Sequence, residues 1–132
     1  MQFENTTHDI KITAVAIYES DVSKPEKMEY IWSYTIKIEN LSSNIYQLVS
    51  RYWNIIDSNG CIKEVYGAGV VGQQPILEPN DSFEYTSQAV IHTSSGMMVG
   101  NYEMLNCDTG ESVVAIIPSF ALESSDRTTW LN

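Results

Sequence analysis

Basic residues are scarce in this chain of 132 residues, which has 7 Lys and Arg against 17 Asp and Glu and a formal net charge of −10. The few cations are scattered along the sequence and form no cluster. A protein that binds nucleic acid needs a concentrated cationic face, because it must displace counterions from the phosphates. The composition therefore argues against a nucleic-acid partner.

Residues that commonly bind metals are also few. The two cysteines, Cys61 and Cys107, have no CxxC spacing and are too few for a disulfide framework. His8 and His92 lie far apart in the sequence, and the carboxylates make no loop of alternating calcium ligands. We therefore predict free thiols, no metal site and no cofactor.

Long apolar runs are missing as well. None approaches the roughly 18 residues that a membrane-spanning helix needs. The first residues, MQFENTTHDIKI, do not have the basic segment and apolar run of a signal peptide. We therefore expect a cytoplasmic protein without a membrane partner.

Apolar residues alternate with polar ones almost throughout the chain. In Tyr30–Ile38, the even positions carry Tyr30, Trp32, Tyr34, Ile36 and Ile38, which is typical of a half-buried antiparallel strand. The other predicted strands are Ile10–Tyr18, Tyr46–Ile56, Cys61–Tyr66, Asp81–His92, Met98–Cys107 and Glu111–Ile117, with Pro118 ending the last and Phe120 and Leu122 in a short final strand. No window has a helical period. This pattern predicts one all-β domain, a sandwich of two antiparallel sheets.

Two details refine this prediction. Asn59-Gly60 has the composition of a tight hairpin turn with positive φ angles, so Cys61–Tyr66 should pair back on the preceding strand. In Ile10–Tyr18, Val15 and Ile17 make the second face partly apolar too, so this strand is either central or covered by a partner. An uncovered strand of this kind can also pair edge to edge in a homodimer.

The segment Gly67–Gly72, GAGVVG, has the spelling of a dinucleotide-binding loop. Pro75 and Pro79 leave no room for the helix that gives that loop its usual function. Two interpretations remain. The glycines can form a nest of backbone N–H groups for a phosphate or pyrophosphate, or they can allow a close backbone crossing above buried Val70 and Val71. The predicted ligand-binding residues are Gly67, Gly69, Gly72, Gln73 and Gln74 of the loop, with Arg51 and Trp53, which share one face of their strand.

Several long blocks together resemble the ApaG family. They span about residues 9–122 in order: Gln47–Trp53, Asp57–Gly60, Val65–Leu77, Phe83–Ser87, Thr93–Met98, Gly100–Met104 and Ile117–Leu122. The resemblance implies a fold like that of immunoglobulin or fibronectin type III domains, in a small cytoplasmic bacterial protein. It also implies links to cobalt and magnesium sensitivity and to diadenosine tetraphosphate metabolism, without a catalytic mechanism. Tyr52, Tyr66 and Asn80 depart from the family's usual His, Arg and Gly.

No base, nucleophile and orienting group can be assigned from the sequence, so no catalytic residues are predicted. We predict a non-enzymatic binding module of a single domain, residues 1–132, with a core at about 9–122 and a tail at 123–132 in which Trp130 is an unusual residue to leave in water. Its partner is predicted to be a protein, with a pyrophosphate-containing small molecule at the glycine loop as the second choice. An enzyme or accessory factor of dinucleoside polyphosphate metabolism is the alternative.

Overall fold

The computed structural model describes residues 1–124, which form nine β-strands and one turn of 3-10 helix at Pro25–Lys27. Residues 125–132 lie outside the described residues, and with them Trp130 and most of the predicted tail. The strands are β1 (Gln2–Thr7), β2 (Ile10–Tyr18), β3 (Tyr30–Asn40), β4 (Tyr46–Asp57), β5 (Ile62–Ala68), β6 (Ile76–Leu77), β7 (Ser82–Ile91), β8 (Ser95–Asn106) and β9 (Ser112–Glu123).

The strands form two antiparallel sheets. One has four strands in the order β1-β2-β3-β7, and the other has β5-β4-β8-β9, with β6 paired to β4. Their inner faces enclose one hydrophobic core. This confirms the predicted sandwich of two antiparallel sheets. Strand β2 lies between β1 and β3 and is therefore central, although Ile17 on its outer face is 60% exposed.

The core follows the predicted alternation. In β3 the even-numbered residues Trp32, Ile36 and Ile38 are almost completely buried, and in β8 so are Met98, Tyr102 and Met104. Because each aromatic or branched side chain removes a large apolar area from water, this layer supplies much of the stabilisation of the sandwich.

The hairpin between β4 and β5 forms as predicted but with another turn. The N–H of Asp57 donates to the carbonyl of Cys61 across a three-residue loop. Within this loop only Gly60 has a positive φ, of 84°. The expectation of a positive φ at Asn59 was wrong. The carboxylate Oδ1 of Asp57 accepts hydrogen bonds from the N–H groups of Asn59 and Cys61, both at 2.9 Å. It thereby holds a turn in which one left-handed residue is enough.

Two strand predictions also needed correction. Strand β1 was missed because its residues, QFENTT, are mostly polar. Pro118 does not end the last strand, which continues to Glu123. Opposite β8 the pairing shifts from Gly100↔Ile117 to Met98↔Phe120. Pro118 therefore lies in a bulge of an edge strand, where its missing N–H breaks no ladder hydrogen bond.

The two open sides of the sandwich differ. On one side, β1 and β2 pack on β9, and the side chain of Asn5 donates to the carbonyl of Ile116 at 3.0 Å. The N–H of Ile116 in turn donates to Thr7 Oγ1 at 3.4 Å. These contacts cover the free edge of β9 and protect it from pairing with another chain. Strand β5, on the opposite side, is mostly exposed along its length.

Candidate functional site

The glycine loop that follows β5 is a two-residue β-turn. Val70 and Gln73 exchange both backbone hydrogen bonds, each at 2.8 Å, around Val71 and Gly72. The φ angles of Val71 and Gly72 are 43° and 78°, as in a type I′ turn. Val70 is fully buried, whereas Val71 is 53% exposed, so the interpretation that placed both valines beneath the loop was wrong for Val71.

The loop is attached to β4 through the carbonyl of Val49. This carbonyl accepts hydrogen bonds from the N–H of Gly69 at 2.8 Å and from the side-chain amide of Gln74 at 2.9 Å. Val49 is the extra residue of a β-bulge, where the register of β4 against β8 shifts between Leu48 and Ser50. The N–H groups of Gly69 and Gln73 are therefore bonded within the protein, and do not point freely at solvent.

Gly69 has to be glycine for steric reasons. A Cβ atom there would lie 2.1 Å from the carbonyl oxygen of Gln73, and its φ is 63°. Gly72 has open space around it and needs glycine for its φ alone. The close backbone approach predicted for the glycines is therefore present at Gly69.

Arg51 reaches the glycine loop from the inner side of β4. Its Nη1 donates to the carbonyl of Gly69 at 2.8 Å and to that of Ala68 at 3.3 Å. A Cβ atom on Gly67 would lie only 2.9 Å from Nη1 of Arg51, so the guanidinium packs closely against this glycine. No carboxylate within residues 1–124 lies within ion-pair distance of Arg51. The structure thus brings Arg51 together with Gly67 and Gly69, on the carbonyl side of the loop.

Trp53 shares the inner face of β4 with Arg51 but lies in the core, 1% exposed. Its ring meets Tyr34 and Phe120 edge to face, with centroids 5.5 and 6.0 Å apart. The indole Nε1 has no hydrogen-bond partner among the described residues. A ligand on the outside of the loop would not touch this side chain. A ligand-binding role for the predicted set of seven residues stays a prediction.

Three buried tyrosines lie near Arg51. The hydroxyls of Tyr85 and Tyr102 hydrogen-bond to each other, and burial raises the pKa of both phenols. Burial likewise raises the pKa of Tyr34, and the neighbouring Ser87 partly offsets this rise. The positive charge of Arg51 slightly opposes all three pKa shifts. The cluster is a neutral, hydrogen-bonded part of the core at ordinary pH.

One exposed surface was not predicted from the sequence. It is called here the tyrosine face and is the outer side of the five-stranded sheet around Tyr52, Tyr66, Val114 and Ile116. Tyr66 is 72% exposed, Ile116 52% and Val114 50%. Tyr52 and Tyr66 are direct cross-strand partners on β4 and β5. The available signal was the apolar character of Val114 and Ile116 at positions that alternate with core residues of β9.

A shallow pocket of about 340 Å³ lies in the tyrosine face, lined by Ser50, Tyr52, Tyr66, Asn101, Glu103, Ser112, Val113 and Val114. Ser50 Oγ donates to Glu103 Oε1 at 3.0 Å. The hydroxyl of Tyr52 donates to the carboxylate of Glu64, and this hydrogen bond raises the pKa of Tyr52. The pocket therefore combines aromatic rings, an amide and carboxylates.

The tyrosine face carries no Lys or Arg among the described residues. Glu64 and Glu103 give it negative charge. The cations of residues 1–124 lie elsewhere: Lys11 and Lys37 on the outer face of the four-stranded sheet, Lys24 and Lys27 between β2 and β3, Arg51 inside, and Lys63 alternating to the other side of β5 from Tyr66.

Two features are absent from residues 1–124. No group of three or more His, Cys, Asp and Glu side chains is arranged to hold a metal ion. No helix in this part of the chain is long and apolar enough to cross a membrane.

Comparison with known proteins gives consistent matches. The model of the ApaG domain matches residues 20–106. Protein ApaG of Brucella canis is 42% identical over 98% of this chain and 99% of its own length, and Protein ApaG of Xanthobacter autotrophicus is 44% identical over 96% of each. The crystal structure of an ApaA protein from Bordetella pertussis superposes with a TM-score of 0.86 at 36% identity, covering 93% of this chain and 98% of that one. The chain belongs to the ApaG family.

Proposed function

We propose that this protein is a non-enzymatic interaction module that binds a protein partner through the tyrosine face. The observation that carries the proposal is the group of large exposed side chains, Tyr66, Val114 and Ile116, on one sheet. Apolar patches rimmed by polar groups are typical of interaction sites, and tyrosine is enriched in protein interfaces because its ring is apolar while its hydroxyl bonds.

The rigidity of the surface supports the same function. Tyr52 is held by its hydrogen bond to Glu64, and Ser50 and Glu103 are bonded to each other. The pocket lies on the central strands β4 and β8, and each of these pairs with a neighbouring strand on both sides. A preorganised surface loses little conformational entropy on binding, which favours affinity.

A matched pair of variants tests this function. Val114→Lys places a positive charge in the tyrosine face, whereas Val90→Lys places the same charge on the outer side of the four-stranded sheet, where Val90 is 43% exposed. Affinity capture from a bacterial lysate, followed by mass spectrometry, should lose a partner with Val114→Lys and retain it with Val90→Lys. Identical partner lists for the native protein and both variants would contradict the proposal. Circular dichroism checks that both variants are folded.

A second candidate is the binding of a pyrophosphate group at the tip of the glycine loop. The N–H groups of Val71 and Gly72 make no hydrogen bond within residues 1–124, and Arg51 lies beneath the loop without a carboxylate partner. Adjacent free N–H groups can bind an anion. Any effect on cobalt or magnesium sensitivity would then be indirect.

Titration of ¹⁵N-labelled protein with inorganic pyrophosphate and with diadenosine tetraphosphate tests the second candidate. Amide shifts concentrated at Val71, Gly72 and Gln73 are expected if the tip binds the anion. Shifts spread evenly over the surface, or none at millimolar ligand, would count against it. Analysis of the same samples for nucleotide products tests the alternative of an enzyme acting on dinucleoside polyphosphates.

A further inference from the structure

We infer that the pocket of the tyrosine face receives a positively charged side chain, best an arginine, from the protein partner. The inference rests on the proposed function and specifies the chemistry of the partner. Its basis is the combination of two tyrosine rings, an amide and a carboxylate in one shallow concavity.

The aromatic part of the pocket comes from strand pairing. Tyr52 and Tyr66 are direct partners on adjacent strands, so their rings project from the same side of the sheet as neighbours. A guanidinium placed over a tyrosine ring is attracted by the negative potential of the ring face. Arginine also stacks on aromatic rings through its planar group, which an ammonium cannot do.

The polar part supplies acceptors for a donor-rich ligand. Glu103 Oε1 accepts from Ser50, while its other carboxylate oxygen makes no hydrogen bond within the described residues. Asn101 lines the same pocket with a side-chain carbonyl. A guanidinium has five N–H donors and no acceptor, so a free carboxylate oxygen and an amide carbonyl suit it.

The charge of the surface points to the same ligand. Glu64 and Glu103 lie on a face that has no cation of its own among residues 1–124, in a chain of net charge −10. Such a field raises the encounter rate with a basic segment and repels an acidic one. A second copy of this chain is disfavoured here, because two-fold pairing would bring the same carboxylates against each other.

A pair of peptides that differ only in charge tests the inference. The first is acetyl-Val-Arg-Val-amide, and the second has citrulline, which keeps the shape of arginine but is neutral. With ¹⁵N-labelled protein, we expect the arginine peptide to shift the amides of Tyr52, Tyr66, Asn101 and Glu103. Its Kd should be about threefold to tenfold lower than that of the citrulline peptide, in the range of an exposed cation–π contact with an ion pair.

Charge-neutralising variants provide the second test. Glu103→Gln removes the proposed counter-charge, and Glu84→Gln removes an equivalent charge from the outer face of the other sheet. The first should raise the Kd of the arginine peptide about threefold to tenfold, and the second should leave it unchanged. Equal binding of the two peptides, or equal effects of the two variants, would overturn the inference. So would the absence of shifts at these residues.

The two proposals fail in different ways. If Val114→Lys removes the captured partner while the arginine and citrulline peptides bind equally, the face is an interface but the cation site is wrong. If the arginine peptide binds selectively and Val114→Lys leaves the captured partners unchanged, the cation site stands and the proposed function fails.

Discussion

Replacing Val71 by Asn should stabilise the protein, although it removes an apolar side chain. Val71 has a φ of 43° in the type I′ turn of the glycine loop. The left-handed region costs a residue with a Cβ about 1–2 kcal/mol, and a β-branched residue is a rare occupant of it. Asn tolerates this region, and Asn-Gly is the favoured pair for a type I′ turn.

The magnitude follows from the exposure of the side chain. Val71 is 53% exposed, so the substitution loses about half of the roughly 1.5 kcal/mol that full burial of a valine contributes. Relief of the unfavourable φ exceeds this loss, which leaves a net gain of about 0.5–1 kcal/mol. For a domain of this size the gain corresponds to a rise in Tm of about 2–4 °C.

Thermal and urea unfolding of two matched variants measure the effect. Val114→Asn changes a valine of similar exposure, 50%, in the extended strand β9, where no left-handed φ needs relief. It should lower the stability by about 0.5–1 kcal/mol, because Asn is depleted in strands. If Val71→Asn lowers the free energy of unfolding as much as Val114→Asn does, the positive φ of Val71 does not destabilise the native protein by the amount stated.

Three further predictions concern the core. Tyr85→Phe or Tyr102→Phe alone should each cost about 1–3 kcal/mol by leaving a buried hydroxyl unpaired, whereas the double variant should cost less than the sum; additive costs in urea unfolding would refute the pairing. The folded-state pKa values of Tyr34, Tyr85 and Tyr102 lie above the usual 10.0, so these phenols lose their protons at lower pH in the unfolded chain than in the folded one. The free energy of unfolding should therefore fall as pH rises above about 10, by up to about 1.4 kcal/mol per pH unit for each phenol. Unfolding curves that coincide at pH 9 and pH 11 would contradict this. Gly100→Ala should cost about 1–3 kcal/mol, because its Cβ would lie 2.4 Å from the carbonyl oxygen of Tyr52; an unchanged Tm would show that β8 can move away.

The sequence was sufficient where a local pattern and the final packing coincide. The alternation in Tyr30–Ile38 predicted which side of β3 is buried, since a strand with one apolar face has only one stable orientation. The long blocks that resemble the ApaG family cover most of the core strands. For this reason the resemblance predicted both the family and the fold.

Pro118 shows how tertiary position overrides a local rule. A proline is expected to end a strand, because it cannot donate to the ladder. Strand β9 lies at the edge of its sheet, and a bulge accommodates the missing donor. Edge position depends on the order of the strands, which no local pattern encodes.

By itself, the sequence determined the all-β class, most strands, the glycine requirement of the loop and the family. Only the tertiary structure decided which residues meet at a site. The bulge at Val49 shifts the alternation of β4, so that Arg51 and Trp53 point inward while Tyr52 points outward. The three-residue loop of the β4–β5 hairpin then sets the register that places Tyr52 beside Tyr66. Both effects depend on hydrogen bonds between strands, and for this reason the tyrosine face could be recognised only after the strands were paired.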